Sequence, residues 1–289
     1  MERIIYTSSN GEIIRFDGPP FYLSRISGLG EVDAELQLQK SPYQDGSSLM
    51  GSVLQEREVT VEFLIEQQAY SEVSDSRAKI ARAFNPKLKP GIIRYENDFV
   101  VREIEAIADS VPIYPDGHSN RSMTLQKGMI TLTCPNPYWK SEDQVEQLAV
   151  FESGLTFPVT FPTAFAQQSP SKSKLIMNEG DVDTPIEVTF TGPATAPIII
   201  RNETTGKMIE VNQSLLDGEK LVINTEFGKK RVTKVSTTGI ETNAFNQINI
   251  STSELFQLIA GNNLLSYSTG QDYERAPVII KWKNRYLAV

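Results

Sequence analysis

The chain has 289 residues, 39% hydrophobic and 9% aromatic, enough for a packed core in one large or two ordinary domains and against general disorder. The net charge of −8 is shared evenly, with 15 basic and 19 acidic residues up to Lys140 and 13 and 17 beyond it. Neither part carries the basic footprint of a nucleic-acid binder, and no apolar run approaches the ~20 residues of a membrane span.

The opening MERIIYTSSNG lacks the apolar core and cleavage site of a signal peptide, which predicts folding in a cytoplasm. Arg3-Ile-Ile-Tyr-Thr and Glu12-Ile-Ile-Arg-Phe flank Ser8-Ser-Asn-Gly and read as a hairpin, because Asn-Gly tolerates positive φ. In the stretch from Val32 to Lys40, Val32, Ala34, Leu36 and Leu38 alternate with Asp33, Glu35, Gln37 and Gln39. That period predicts a strand with one wet face. Arg57 to Glu66 alternates again, with Val59, Val61, Phe63 and Ile65 on one face and Glu58, Thr60 and Glu62 on the other.

One helix is predicted over 71–84, capped by Ser71 or Ser74, with Val73, Ile80, Ala81 and Phe84 on its apolar face and Asn85-Pro86 ending it. A second hairpin follows over Gly91–Ile107, and Met123–Cys134 supplies one or two more strands. From Gln144 to Lys174, Phe151, Phe157, Phe161 and Phe165 lie among Pro158, Pro162, glutamines and serines, which predicts extended connecting segments. Beyond Lys174 come short apolar runs: Ile186-Glu-Val-Thr-Phe, Ile198-Ile-Ile-Arg, Lys207-Met-Ile-Glu-Val, Lys220-Leu-Val-Ile-Asn, Arg231-Val-Thr-Lys-Val, Gln247-Ile-Asn-Ile, Asn263-Leu-Leu-Ser-Tyr and Val278-Ile-Ile-Lys-Trp. Their turn-separated spacing fits a β-sandwich. Ser253–Leu258 reads as one helical turn.

Candidate chemistry is sparse. One cysteine, Cys134, excludes an internal disulfide, and with one histidine, His118, no conventional structural zinc site assembles within the chain. No G-x-S-x-G elbow accompanies His118. Ser76-Arg-Ala-Lys79 matches S-x-x-K but lacks the K-T-G and S-D-N partners, so the polar face of the helix explains it. Asp181 and Asp183 fall short of a calcium loop. Cys134 reads as a small buried hydrophobe at a strand end. In the C-terminal part, Tyr267, Tyr273, Trp282 and Tyr286 offer an aromatic face for stacking on sugar rings, with Trp282 and Tyr286 as the leading pair; packing of the last strand is the competing explanation.

Four stretches, in order, carry a resemblance. They are Asp45-Gly46 followed by Arg57-Glu-Val-Thr-Val-Glu-Phe, then Thr131-Leu-Thr-Cys-Pro-Asn-Pro-Tyr-Trp, Leu216-Asp-Gly-Glu-Lys-Leu-Val-Ile-Asn-Thr, and Leu258-Ile-Ala-Gly-Asn-Asn-Leu-Leu-Ser-Tyr. Together they resemble the distal tail protein (Dit) family of siphophages that infect Gram-positive bacteria. The resemblance implies a mainly β chain. Residues 1–140 would form a tail-tube-like β-sandwich or split barrel with one α-helix. A connector over 141–174 would lead to a galectin-like β-sandwich over 175–289. Cys134, Pro135, Pro137, Tyr138 and Trp139 would form the domain junction, with Tyr138 and Trp139 as a plug between domains.

The resemblance implies a structural hub without catalysis or cofactor. Six copies would close head-to-tail into a ring, with a second ring stacked on the first as an option, around a channel for DNA. Partners would be the tail tube protein, the tail-tip protein and receptor-binding or baseplate proteins, with no sequence-specific nucleic acid and no membrane. The location would be the virion tail tip, after synthesis in the bacterial host cytoplasm. Glu35 and Glu62, on wet strand faces, would line the channel. The alternative function is a carbohydrate-binding adhesion module that acts through Trp282 and Tyr286.

Overall fold

The computed structural model describes residues 2–148, 173–271 and 276–289. The expected Phe-rich connector, with Phe151, Phe157, Phe161 and Phe165, lies outside the described residues, as does Tyr273. The chain divides into two compact units. The first comprises Met1–Glu142 together with Tyr286–Val289, and the second Asp143–Arg285.

The first unit contains β1 (Arg3–Thr7), β2 (Ile13–Arg15), β3 (Asp17–Gly18), β4 (Phe21–Ser27), β5 (Ala34–Gln39), β6 (Ser48–Leu54), β7 (Arg57–Glu66), α1 (Tyr70–Ala83), β8 (Gly91–Glu96), β9 (Val101–Ala108), β10 (Leu125–Cys134) and β11 (Trp139–Lys140). The main sheet runs β2-β1-β8-β9-β10-β7-β4-β3. Its terminal strands, β2 and β3, are separated in sequence by Phe16 alone, so the sheet curls until its two ends meet. This is the split barrel that the family resemblance implied.

Alternation fills the barrel. Val59, Val61, Phe63 and Ile65 of β7 are all buried, as the period of two requires. An aromatic cluster occupies the interior: Tyr6 stacks on Phe84 with centroids 4.2 Å apart, and Phe16 lies 5.4 Å from Phe63. The helix α1 adds Val73, Ile80 and Ala83 to this core, close to the expected stripe. Its start differs from the expectation. The N-cap is Ala69 without a side-chain cap, and both serines lie inside the helix; the Glu72 carboxylate instead accepts the Gln68 N–H at 3.1 Å. An acidic residue in the first turn thus reaches back to a free amide that a serine hydroxyl would otherwise have taken.

The two strands β5 and β6 form a separate two-stranded sheet. The single wet face expected for β5 is not what forms, since all six of its residues are exposed.

The second unit contains β12 (Gln144–Gln147), β13 (Ser173–Asn178), β14 (Ile186–Thr191), β15 (Ile198–Asn202), β16 (Lys207–Val211), β17 (Lys220–Asn224), β18 (Arg231–Val235), β19 (Glu241–Asn243), β20 (Gly261–Ser268) and β21 (Val278–Trp282); β22 (Arg285–Tyr286) spans its boundary with the first unit. Its two antiparallel sheets, β12-β21-β14-β17-β18-β19 and β13-β20-β15-β16, bury inward residues such as Val188, Phe190, Ile200, Ile223, Leu265 and Ile280 in one core. This is the expected sandwich.

Three details depart from the sequence reading. The start of the expected connector is strand β12, paired with β21 from Gln144↔Trp282 to Gln147↔Ile279. Gln247 closes the short 3-10 turn Phe245–Gln247 and the Ile-Asn-Ile after it forms no strand, and Ser253–Leu258 is irregular. Phe256 and Leu258 are nevertheless buried, so their apolar spacing reports core contact and not helix.

Because Phe84 is fully buried against Tyr6 and Phe16, Phe84→Ala is expected to destabilise the first unit by roughly 3–5 kcal/mol, measured by urea unfolding.

Candidate functional site

The strand β10 ends at Cys134, opposite Arg57 at the start of β7. The inward period of β7 that places Val59 and Val61 in the core also turns Arg57 inward, and it is 0% exposed. A buried guanidinium needs acceptors for its fixed fork of donors. Here Nε donates to the Pro137 carbonyl at 2.8 Å and Nη1 to those of Gly28 (3.0 Å) and Glu31 (2.9 Å). Nη2 donates to the Leu287 carbonyl at 2.6 Å. One side chain therefore joins the loop after β4, the Pro-Asn-Pro-Tyr-Trp exit and the C-terminal tail.

The loop is held by further contacts. The Glu31 carboxylate accepts the Gly28 N–H at 3.0 Å, and hydrogen bonds from its own amide, then from Gly30 and Gly28, hold its pKa below the usual range. Gly28 has φ +86°, and a Cβ there would sit 2.0 Å from the Glu58 carbonyl, so only glycine fits. Trp139 is fully buried and its indole N–H donates to the Leu29 carbonyl at 3.1 Å. Burial pushes the Cys134 thiol up to about 12, against the smaller opposing pull of Arg57. Such a thiol is packing material and not a nucleophile.

The second surface of interest is the β5–β6 ribbon. Opposed residues share a face. One face carries the pairs Ala34/Leu54, Leu36/Ser52 and Leu38/Leu49, and the other Glu35/Val53, Gln37/Gly51 and Gln39/Ser48. Leu36, Leu38 and Leu49 are 56%, 59% and 63% exposed. At the tip, Tyr43 is fully exposed and takes φ +64°, an uncommon conformation for a residue other than glycine. Among the described residues no group of three or more His, Cys, Asp or Glu side chains is arranged to hold a metal ion.

The family models decide the relationship. Residues 10–134 match the phage tail protein RIFT-related domain, and residues 179–286 match the siphovirus-type tail component, C-terminal domain. The chain belongs to the distal tail protein family of siphophages. Among solved structures, the Dit protein of phage SPP1, described as a paradigm of the hub adsorption apparatus in phages that infect Gram-positive bacteria, superposes with a TM-score of 0.68 at 13% identity over 99% of both chains. A chain of the phage P2 baseplate, activated with calcium, gives a TM-score of 0.54 at 10% identity over 97% of each chain, and the strontium form is similar. No curated protein matches the chain by sequence. This member of the distal tail family is a structural component of a phage tail or baseplate.

The residues expected at the family's domain junction lie as follows. Cys134 and Trp139 are in the core of the first unit, Pro135 is exposed, and Pro137 and Tyr138 are half-buried. Trp139 is thus not a plug between domains; its inward position on β11 puts it into the barrel core. Of the expected sugar-stacking pair, Trp282 presents no open ring face. Trp282 belongs to the core of the second unit, 7% exposed, with its indole N–H donated to Asn284 at 2.9 Å. Tyr286 belongs to the first unit, where the Arg102 guanidinium lies 3.6 Å from its ring centroid. Glu35 is exposed on the polar face of the ribbon, and Glu62 is half-buried on the outer face of β7. Arg57 was missed as a site residue, although an arginine leading the apolar phase of β7 is a readable signal.

Two outcomes follow. Arg57→Met is expected to cost roughly 3 kcal/mol or more, since it removes the donors of four carbonyls, that of Gly28 buried, and urea unfolding measures it. Cys134 is expected to resist a thiol reagent at pH 8 until urea unfolds the chain. Its folded pKa lies above the ordinary 9.0, so its contribution to stability is complete below pH 9 and lost as pH rises toward 12.

Proposed function

We propose that six copies of this chain close head-to-tail into a ring at the tail tip, joining the tail tube to the tail-tip protein and anchoring receptor-binding or baseplate proteins. The observation that carries this reading is the amphipathic β5–β6 ribbon, whose leucine face has no partner in the described residues of its own chain. Covering such a face on a neighbouring copy is worth roughly 1.5–3 kcal/mol for each leucine buried. A heterologous contact of this kind closes into a ring when its rotation closes, and closure also covers sheet edges.

With the leucine face turned to the neighbour, the opposite face bearing Glu35 turns to the lumen. Glu62, on the outer face of β7, completes an acidic wall there. Such a wall repels DNA and lets it pass without gripping it. The role is structural and involves no catalysis. The adhesion-module alternative is weakened because Trp282, its leading aromatic, is buried.

Light scattering after size exclusion is expected to give about 193 kDa, six times 32.2 kDa, with a central hole in negative stain. Replacing Leu36, Leu38 and Leu49 by serine is expected to leave the subunit's unfolding midpoint unchanged and reduce the mass to 32 kDa. A ring that survives this triple replacement refutes the ribbon contact. A 32 kDa wild-type species, alone and with its tail neighbours, refutes the ring.

A further inference from the structure

Residues 77–94 hold six basic residues, Arg77, Lys79, Arg82, Lys87, Lys89 and Arg94, and no acidic one. The rest of the chain has 22 basic against 36 acidic residues, a balance of −14. Lys79 and Arg82 stand on the exposed side of α1, one turn apart. The turn that follows is set by Asn85, whose side-chain oxygen accepts the Lys87 N–H at 3.0 Å and whose carbonyl accepts the Leu88 N–H at 3.0 Å. It presents Lys87 and Lys89 to solvent.

None of these four exposed cations has a carboxylate within 4 Å among the described residues. Lys79 lies 5.9 Å from the Phe21 ring centroid, its one charge-related contact. Outside residues 77–94, Arg121, Lys140, Lys207 and Lys234 each have a carboxylate partner, and within them Arg94 has three. One cation in the last turn is enough to offset the helix dipole, and Arg82 provides it. The other three make the surface strongly cationic without a local reason.

An acidic counterpart lies at the root of the β5–β6 ribbon. Glu31 and Asp33 precede β5, Glu56 follows β6, and all three are exposed. The Gln55 N–H donates to the Asp33 carbonyl at 2.9 Å, which brings the two sides of the root together. We infer that Lys79, Arg82, Lys87 and Lys89 receive the acidic root of the ribbon of a second copy of this chain. The inference rests on the ring reading, because the root is continuous with the leucine face proposed to seat on the neighbour. Charge at this rim sets register and the rate of encounter, while the leucines hold the contact.

A charge swap tests it. One variant carries Lys79→Glu, Arg82→Glu, Lys87→Glu and Lys89→Glu; the other carries Asp33→Lys and Glu56→Lys and keeps Glu31, whose carboxylate holds the Gly28 loop. Each alone brings like charges together at every contact and is expected to raise the protein concentration needed for the ring by at least about tenfold. In a 1:1 mixture an alternating ring restores opposite charges at every contact, so the mixture is expected to recover the wild-type mass. A variant that cannot fold gives no rescue, so circular dichroism of each variant accompanies the mixing. Folded variants that assemble like the wild type overturn the inference and leave the cationic face to another acidic partner. Folded variants whose mixture does not recover overturn it too. If one variant fails to fold, the salt dependence of the wild-type ring decides: an assembly threshold unchanged between 50 mM and 500 mM salt overturns the contact. A wild-type chain that remains at 32 kDa both alone and with its tail neighbours removes the ring reading itself, and this contact with it.

Discussion

The buried guanidinium of Arg57 is the constraint on which the first unit depends. Its hydrogen bonds go to backbone carbonyls at Gly28, Glu31, Pro137 and Leu287. A charge held this way is costly to release, since the guanidinium is fully buried and each carbonyl it leaves loses its donor. The positions of those carbonyls matter as much as their number. Two lie just before the β5–β6 ribbon and Arg57 itself lies just after it, so the side chain clamps both ends of the ribbon. The other two lie where the chain departs at Pro137 and where its last residues return at Leu287. Exit, return and ribbon root are thereby fixed by one group.

This clamp explains how a two-stranded ribbon persists without a sheet to lean on. An isolated hairpin is marginal in water, because two strands bury too little to offset the entropy of ordering them. The bulge between Gln37 and Leu38, where Met50 is the extra residue of β6, twists the ribbon further. Ordering its root in the free subunit lowers the entropy lost when a partner covers it. In the proposed ring, the exposed leucines would thus be displayed from an ordered root.

The barrel and sandwich were readable wherever one face of a strand meets its own chain's core. β7 is the clearest case, because every inward residue after Arg57 is apolar. β5 shows where that reasoning stops. Its alternation is as regular as that of β7, yet Leu36 and Leu38 are exposed in the subunit. What the period does not contain is whose core covers them. The same limit applies to Trp139 and Trp282: aromatic residues near a seam or on a sandwich strand read equally as platforms or as packing, and burial separates the two. The missed strands β12 and β19 are short and polar, so pairing with β21 and β18 forms them and not their own pattern. Arg57 was visible as a residue out of character with its phase, and that is the signature a buried, fully hydrogen-bonded charge leaves in a sequence.

A head-to-tail assembly needs two different surfaces on each subunit that complement each other, and it needs them held at a fixed angle. Flexibility at the ribbon root would allow the same leucine face to seat at several angles, which leads to open chains as readily as to rings. The Arg57 clamp removes that freedom, and Gly28 supports it, since its φ of +86° and its approach to the Glu58 carbonyl leave the loop one conformation. The acids at the root, Glu31, Asp33 and Glu56, are exposed beside this clamp. In the proposed ring, a chain that is acidic overall but carries this cationic face would gain directionality: like faces would repel, unlike faces would meet, and the angle at which they meet would be set inside the subunit by Arg57.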